Sequence, residues 1–145
     1  IHIQPDINVC LAVALPDGLI TPAIAAADAC GLADIVRQRA DLVRRARSGG
    51  LTVAELERGT FTISSLAQYD VTHFTAILNP PQSAILSVGR TRDRLYLNNG
   101  QVAAERIATL GLSVDHRIID GTLAAEFLQA LKARLEKPAF TFMHI

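Results

Sequence analysis

Cysteine is scarce in this sequence, with only Cys10 and Cys30 among 145 residues. Cys10 lies in an apolar stretch and Cys30 precedes a predicted helix, so the two lack the spacing of a metal site or of a redox motif. Two such cysteines also do not make a disulfide framework of the kind found in small secreted domains. The sequence therefore favours a reduced intracellular protein without a metal centre.

An excess of positive charge is missing as well. The 14 basic residues balance the 14 acidic ones and are scattered along the chain. Because nucleic acid requires a basic patch or stripe, this distribution argues against a nucleic-acid partner. The longest apolar runs, around residues 9–15 and 19–27, are shorter than the roughly 20 residues of a membrane-spanning helix or are interrupted by proline. We expect neither nucleic acid nor a membrane as a partner.

Hydrophobic residues make up half of the sequence, which is enough for a chain of this length to bury a core. The length indicates one domain or most of one, and no tail or internal repeat is evident. The sequence opens at Ile1 without a methionine or a targeting segment, and a strand pattern is present by Val9. We therefore expect a fragment of a longer protein.

The apolar spacing predicts an α+β fold, a mixed β-sheet with helices packed on it. Alternation predicts a strand over residues 9–15, buried on both faces, and another over residues 19–24 after a turn. Helical spacing predicts a helix from Leu32 that ends at the glycine pair 49–50. Three further predictions are a helical turn after the capping-box pair Thr52 and Glu55, strands over residues 60–64 and 83–88, and a peripheral hairpin turning at Asn99 and Gly100.

The most informative part of the sequence is a strand pattern that runs directly into a helix pattern. Alternation over residues 109–115 predicts a half-buried strand. Apolar residues at every fourth position from Leu123 predict an amphipathic helix, with Asp120 as its N-cap. His116 lies between the two, about one turn before the cap, where a neutral imidazole could act as a general base. The spacing alone also fits an ordinary histidine in a tight connection.

Four segments of the sequence resemble the signatures of one enzyme family. Residues 115–121 (DHRIIDG) resemble the active-site motif of the dihydrolipoamide acyltransferases, the core components of 2-oxo acid dehydrogenase complexes. The other three segments precede it in the order found in the family, and the four together span nearly the whole chain: residues 17–24 (DGLITPAI), 61–66 (FTISSL) and 74–82 (FTAILNPPQ). Chloramphenicol acetyltransferases and condensation domains share the histidine motif, but they usually carry a second histidine where this chain has Asp115. The resemblance implies a chloramphenicol-acetyltransferase-like fold.

The resemblance also implies a reaction, the transfer of an acyl group between dihydrolipoamide and coenzyme A. In that reaction His116 would take the proton of the attacking thiol, and Ser64 would donate a hydrogen bond to the oxyanion of the tetrahedral intermediate. Asp120 belongs to the implied catalytic set, and its place at the helix start favours an organising role. The sequence leaves Arg117 open between an ion pair with Asp115, one with Asp120, and a contact with a neighbouring subunit.

Further components follow from the same resemblance. It identifies residues 1–145 as the C-terminal portion of the catalytic domain, without the N-terminal part of that domain, the lipoyl domain and the subunit-binding domain. Coenzyme A is implied as a substrate, and the lipoyl group comes from a domain outside this chain, whose only lysines are Lys132 and Lys137 on the last helix. The location implied is the bacterial cytoplasm or the mitochondrial matrix.

The implied assembly is a homotrimer built into a larger core. Each active site lies between subunits, with the histidine from one chain and the serine from its neighbour. The partners of that core are the lipoyl domain and the 2-oxo acid dehydrogenase and dihydrolipoamide dehydrogenase components.

Two positions depart from the family pattern. After residues 64–66 the family generally has glycine, two residues and a second glycine, whereas this chain has Ala67 and Asp70. Because these residues enter positive φ less easily than glycine, we expect a different loop path beside Ser64. These departures favour one alternative function, a scaffold subunit without turnover. A separate alternative is a coenzyme A-dependent acetyltransferase that acts on a free small molecule.

The sequence leaves two further questions open. The arginines of the predicted helix from Leu32 fit a solvated face, and a phosphate-binding role toward the adenosine end of a coenzyme is the alternative. The acyl group is also undetermined. No basic cluster offers itself to a succinyl carboxylate, which favours a branched-chain or an acetyl donor.

Overall fold

The computed structural model describes residues 1–137, which form one five-stranded sheet, two two-stranded sheets and three α-helices. The strands are β1 (Val9–Leu11), β2 (Val13–Leu15), β3 (Gly18–Ile20), β4 (Ala23–Ile24), β5 (Phe61–Ser65), β6 (Ala84–Val88), β7 (Arg92–Asn98), β8 (Gln101–Ile107) and β9 (Leu110–Val114). The helices are α1 (Leu32–Ser48), α2 (Val53–Glu57) and α3 (Gly121–Glu136). The predicted α+β class with a mixed sheet is confirmed.

The five-stranded sheet has the order β4-β1-β5-β6-β9 and sets the positions of the candidate site residues. Strands β1, β5 and β6 are parallel, while β9 pairs antiparallel with β6. Ser64 on β5 is opposite Ser87 on β6, which in turn is opposite Gly111 on β9. Because β9 runs antiparallel to β5 and β6, the C-terminal end of β9 lies at the end of the sheet where β5 and β6 begin.

The first two predicted strands are each interrupted in the structure. At Ala12 the chain leaves the central sheet, and β2 pairs with β3 in a separate hairpin in which Ala14 is exposed. The single strand over residues 9–15, buried on both faces, was therefore a wrong prediction. The return strand divides at Pro22, which has no N–H to donate to a strand partner. Its carbonyl accepts the N–H of Leu11 at 3.0 Å.

The signals for helix ends are confirmed. Helix α1 ends at Ser48, and Gly49 follows it in the left-handed region with φ 74°. Thr52 and Glu55 form both hydrogen bonds of a capping box at the start of α2. Glu55 also binds the guanidinium of Arg45, at 2.8 Å from Nη1 to Oε2, and this contact holds the pKa of Glu55 well below its usual range. The ion pair therefore ties α1 to α2.

The predicted hairpin and the predicted helix from Leu123 both leave apolar side chains exposed within residues 1–137. The hairpin of β7 and β8 turns at Asn99 and Gly100, both with positive φ as predicted, and lies at the periphery. One face of it carries Leu95, Leu97 and Val102, which are 71–73% exposed. On α3 the apolar stripe is only partly covered. Phe127 packs on Phe61 with ring centroids 5.8 Å apart, but Leu123 and Leu135 remain more than half exposed.

None of the helices in residues 1–137 has both the length and the apolar character needed to span a bilayer.

Replacing Gly89 with alanine is expected to destabilise the fold by about 1–3 kcal/mol, because there is no room for a side chain. A Cβ on Gly89 would lie 2.1 Å from the backbone oxygen of Thr72. Gly121→Ala is the matched control, since a Cβ there meets no atom within 4 Å. Urea unfolding of the two variants measures the difference, and equal midpoints would show that the segment at Thr72 moves freely.

Candidate active site

His116 lies in the turn that joins β9 to α3, as the sequence predicted, and its side chain is exposed. Backbone hydrogen bonds hold this turn in place. The N–H of Asp115 donates to the Ser83 carbonyl at 2.8 Å, and the N–H groups of Ile118 and Ile119 donate to the Asp115 carbonyl at 3.1 and 3.0 Å. The imidazole is therefore presented from a fixed corner of the fold and is accessible to another molecule.

Arg117 pairs with Asp115 rather than with Asp120. Its Nη2 donates to Asp115 Oδ2 at 2.6 Å, and its backbone N–H donates to Oδ1 at 3.1 Å. These hydrogen bonds lower the pKa of Asp115 to about 2, so the carboxylate is ionised at neutral pH. The two residues of the pair lie on either side of His116 in the sequence. Of the two ion pairs that the sequence left open, the structure therefore contains the one with Asp115.

Asp120 is the N-cap of α3. Its carboxylate Oδ1 accepts the backbone N–H of Leu123 at 2.8 Å, and its carbonyl accepts the N–H of Ala124 at 3.1 Å. No hydrogen bond joins Asp120 to His116 within residues 1–137. The carboxylate is thus engaged with the helix start, a geometry that fits an organiser of the turn better than a proton acceptor.

Ser64 is half-buried on β5, and its hydroxyl has no hydrogen-bond partner in the described part of the chain. Along the same strand Thr62 donates to Gln82 Oε1 at 2.5 Å, and Ser65 points to the opposite face because strand side chains alternate. The Ser64 hydroxyl is therefore available to donate to a bound group.

The structure does not bring Ser64 and His116 together within one chain. Ser64 shares its row of the sheet with Gly111, two strands away, and β9 continues from Gly111 toward Val114 at the opposite edge. At about 3.3 Å per residue and about 4.8 Å per strand, Val114 already lies about 10 Å along and about 10 Å across the sheet from Ser64. His116 follows two residues later, so the two side chains are far beyond hydrogen-bond reach.

A cavity of about 750 Å³ lies next to the strand that carries Ser64. Ile63 and Ser65 line it together with Tyr69 from the following turn, so the cavity lies on the face of β5 opposite the Ser64 side chain. Arg39 and Arg47 of α1 also line the cavity. Its lining combines apolar, hydroxyl, aromatic and cationic groups, the mixture expected of a site for an anionic organic ligand.

The two arginines at this cavity differ from the other arginines of α1. Arg37 pairs with Asp34, Arg44 pairs with Asp41, and Arg45 binds both Asp41 and Glu55. Neither Arg39 nor Arg47 forms an ion pair or a hydrogen bond within residues 1–137, which leaves both cations available to a ligand.

The sequence pointed to the arginines of this helix, Arg39 and Arg47 among them, but it did not single out these two, and it assigned no role to Ser65 or Tyr69. One signal was available for the arginines. Arg39, Val43 and Arg47 are spaced four apart, which puts all three on one helix face, and all three line the cavity.

The two departures from the family pattern have different backbone consequences. Ala67 begins a short 3₁₀ turn, Ala67–Tyr69, and has no positive φ, so alanine adds no strain there. Asp70 ends the turn at φ 61° and ψ 24°, in the left-handed region. Aspartate tolerates this region better than most residues with a side chain. Only one of the two positions therefore demands a conformation that favours glycine.

A second cavity of about 530 Å³ is lined by Asp6, Asn8, Glu57 and Arg58, among others, and contains none of the predicted site residues. Within residues 1–137, no group of three or more histidine, cysteine, aspartate or glutamate side chains is placed to hold a metal ion.

Comparison with known proteins gives a family match over nearly the whole chain. The family model for the catalytic domain of 2-oxoacid dehydrogenase acyltransferases matches residues 1–143. The dihydrolipoyllysine-residue acetyltransferase component of the pyruvate dehydrogenase complex of Rickettsia bellii is 40% identical over 139 residues, which are 96% of this chain and 33% of that protein. The corresponding mitochondrial component of Schizosaccharomyces pombe is 44% identical over 136 residues, 92% of this chain and 28% of that protein. The chain thus spans about a third of these relatives.

Solved structures show the same similarity. A probable dihydrolipoamide acetyltransferase from Listeria monocytogenes superposes with a TM-score of 0.87 at 40% identity, over 92% of this chain and 57% of that one. The dihydrolipoamide acetyltransferase of Azotobacter vinelandii gives a TM-score of 0.87 at 34% identity, over 92% of this chain and 55% of that one. Crystallographic and enzymatic work on that enzyme investigated the role of one serine, one histidine and one asparagine in its catalytic mechanism.

Proposed function

Because this chain belongs to the family of 2-oxoacid dehydrogenase acyltransferase catalytic domains, we propose that it transfers an acyl group between dihydrolipoamide and coenzyme A. Coenzyme A is the substrate in this reaction, and the lipoyl group is supplied by a domain outside the chain. The reaction exchanges one thioester for another: the thiolate attacks the acyl carbon, and the first thiol leaves as the tetrahedral intermediate collapses.

The observation that carries this proposal is the family match over residues 1–143. The cavity next to β5, with its two unpaired arginines, adds support for coenzyme A as the substrate. Coenzyme A is a long anion with phosphate groups at one end and a thiol at the other. Guanidinium groups suit the phosphates because they form paired, charge-assisted hydrogen bonds. The cavity lies on the face of β5 that carries Ile63 and Ser65, opposite the face that carries the Ser64 hydroxyl, so phosphates held there do not by themselves place the thiol at Ser64.

The residue spacing supports the same roles for the three predicted site residues. In the Azotobacter vinelandii enzyme the named serine precedes the named histidine by 52 residues, and the asparagine follows the histidine by four. Ser64, His116 and Asp120 have the same spacing. In our proposal His116 accepts the proton of the attacking thiol, Ser64 donates to the oxyanion, and Asp120 holds the turn that presents His116.

The separation of His116 from Ser64 supports an active site shared between subunits. A closed ring of identical chains brings the histidine end of one subunit to the serine face of the next, and a trimer is such a ring. The exposed apolar face of the β7–β8 hairpin offers surface for such contacts. The trimer would belong to a larger core that also engages the lipoyl domain and the 2-oxo acid dehydrogenase and dihydrolipoamide dehydrogenase components.

We also propose that residues 1–145 are the C-terminal portion of the catalytic domain. The exposed stripe of α3 supports this placement, because Leu123, Phe127 and Leu135 are residues that a complete domain would cover. The acyl group that we propose is acetyl rather than branched-chain, since both relatives described above are named acetyltransferases of pyruvate dehydrogenase complexes. The setting is the bacterial cytoplasm or the mitochondrial matrix.

The reaction is tested by acyl transfer from acetyl-coenzyme A to free dihydrolipoamide, catalysed by the full-length protein. Turnover that disappears in His116→Ala supports the proposal. An intact trimer without turnover for acetyl, succinyl and branched-chain donors indicates a scaffold subunit instead. Comparison of the three donors also decides between acetyl and branched-chain specificity.

Arg39→Ala and Arg47→Ala are each expected to raise KM for coenzyme A by about 10- to 100-fold, since a hydrogen bond to a charged group contributes about 1.5–3 kcal/mol. KM for dihydrolipoamide should not change. Arg44→Ala is the matched control on the same helix, because Arg44 pairs with Asp41 and does not line the cavity. Steady-state kinetics with each substrate varied in turn make the comparison. Equal effects of all three variants would show that the phosphates of coenzyme A do not bind in this cavity.

A further inference from the structure

The wall of the cavity next to β5 is the short turn Ala67–Tyr69, which has few links to the rest of the fold. At its start the N–H of Ala67 faces the Ser65 hydroxyl at 3.4 Å. Within the turn the N–H of Tyr69 donates to the Leu66 carbonyl at 3.0 Å, and the N–H of Leu66 donates to the Val88 carbonyl at 3.3 Å. These contacts hold the beginning of the turn against the end of β6.

The end of the turn is held by a different pair of residues. Asp70 takes the left-handed conformation that closes the turn, and its carboxylate forms an ion pair with the guanidinium of Arg90. Arg90 directly follows Gly89 after β6, and its backbone N–H donates to the Val71 carbonyl at 2.8 Å. The N–H of Gly89 donates to the Thr109 carbonyl at 3.0 Å, so this short segment is bound on one side to the residue before β9 and on the other to the residue after Asp70.

We propose that Asp70 and Arg90 are a positioning pair for coenzyme A binding, an inference that rests on the function proposed above. Asp70 keeps a backbone conformation that glycine would adopt without strain, and Arg90 adds an anchor that glycine could not provide. The pair fixes Tyr69 and the cavity wall relative to β5 and to the arginines that line the cavity. Neither residue lines the cavity, so both act through the turn and not by contact with the substrate.

Because the pair is exposed, its effect on binding is moderate. The side chain of Arg90 is 40% exposed and that of Asp70 is 77% exposed. Pairs at such sites are screened by solvent, and their loss changes an equilibrium by about two- to five-fold. Arg90→Gln and Asp70→Gly should therefore each raise KM for coenzyme A by about that factor. Both kcat and the KM for dihydrolipoamide should stay at the wild-type level, because neither substitution changes His116 or the turn that holds it.

The decisive measurement is a double-mutant cycle on the full-length protein. If the two residues act as a pair, the variant with both Arg90→Gln and Asp70→Gly has the same KM for coenzyme A as either single variant. Arg90→Lys, which keeps the charge, should restore most of the affinity. Arg94→Gln is the control, because it breaks the ion pair with Glu105 on the hairpin, away from the cavity.

Independent effects that multiply in the double variant would overturn the pairing, and an unchanged KM in both single variants would overturn the positioning role. Calorimetric titration of coenzyme A separates this inference from the proposed function. If the wild type shows no turnover, the proposed function fails, and the coenzyme A dissociation constants of Arg90→Gln, Asp70→Gly and the double variant still decide whether the pair positions the cavity wall.

Discussion

Replacing His116 with alanine is expected to lower kcat for acyl transfer by about 10²–10⁴-fold, the usual contribution of a positioned general base. A thiol with a pKa of roughly 8.5 is only a few per cent ionised at neutral pH, so attack without a base must rely on that small fraction. The loss should therefore diminish as pH rises toward the pKa of the thiol. KM for coenzyme A should change little, because Arg39 and Arg47 remain in place.

The fold should survive this substitution, which makes the kinetic result interpretable. His116 is exposed, and the hydrogen bonds that hold its turn come from the backbone and from Asp115. His73→Ala is the matched control, since His73 is also an exposed histidine outside helices and strands. Steady-state rates between pH 6 and about 9, together with light scattering, measure both properties. A variant that assembles normally and keeps more than a tenth of the wild-type kcat would show that His116 is not the base.

The parts of the fold that depend on local signals could be predicted from the sequence. Gly49 ends α1, Thr52 and Glu55 begin α2, and Asn99 with Gly100 turns the hairpin, each within a few residues of the predicted position. Asp120 caps α3 for the same reason, because its carboxylate and the N–H of Leu123 are three residues apart. Such signals act over one turn and are complete within a short window of sequence.

The rest depends on pairing between distant residues, which a single sequence does not contain. Ala12 still bonds to the central sheet through its N–H and the carbonyl of Ile63, 51 positions away, while the next residues pair with β3. The choice of partners among the arginines of α1 is similar. Arg45 finds Glu55 on another helix, whereas Arg39 and Arg47 face the cavity. Ser64 and His116 were each predicted from a local motif. Their separation across the sheet depends on the order and direction of the strands, which the motifs do not contain.

Replacing Ser64 with alanine is expected to lower kcat for acyl transfer by about 10²–10³-fold. The hydroxyl is the only oxyanion donor that we assign, and the loss of one such donor has this size. Ser64→Thr is the matched variant because it keeps a hydroxyl on the same strand. Its partial activity would separate the loss of the donor from a disturbance of β5. Full activity in Ser64→Ala would assign the oxyanion to another donor.

A mixed assembly of the two inactive variants tests where the site is built. Chains with His116→Ala retain Ser64, and chains with Ser64→Ala retain His116, so neither chain has both groups. If each site takes its histidine from one subunit and its serine from the next, random trimers made by co-expression have about a quarter of their sites intact and regain about a quarter of the wild-type activity. If both groups came from the same chain, no mixed trimer could have an intact site, and the activity would stay at the level of the separate variants. The distance across the sheet from Ser64 to the β9–α3 turn leads us to expect recovery.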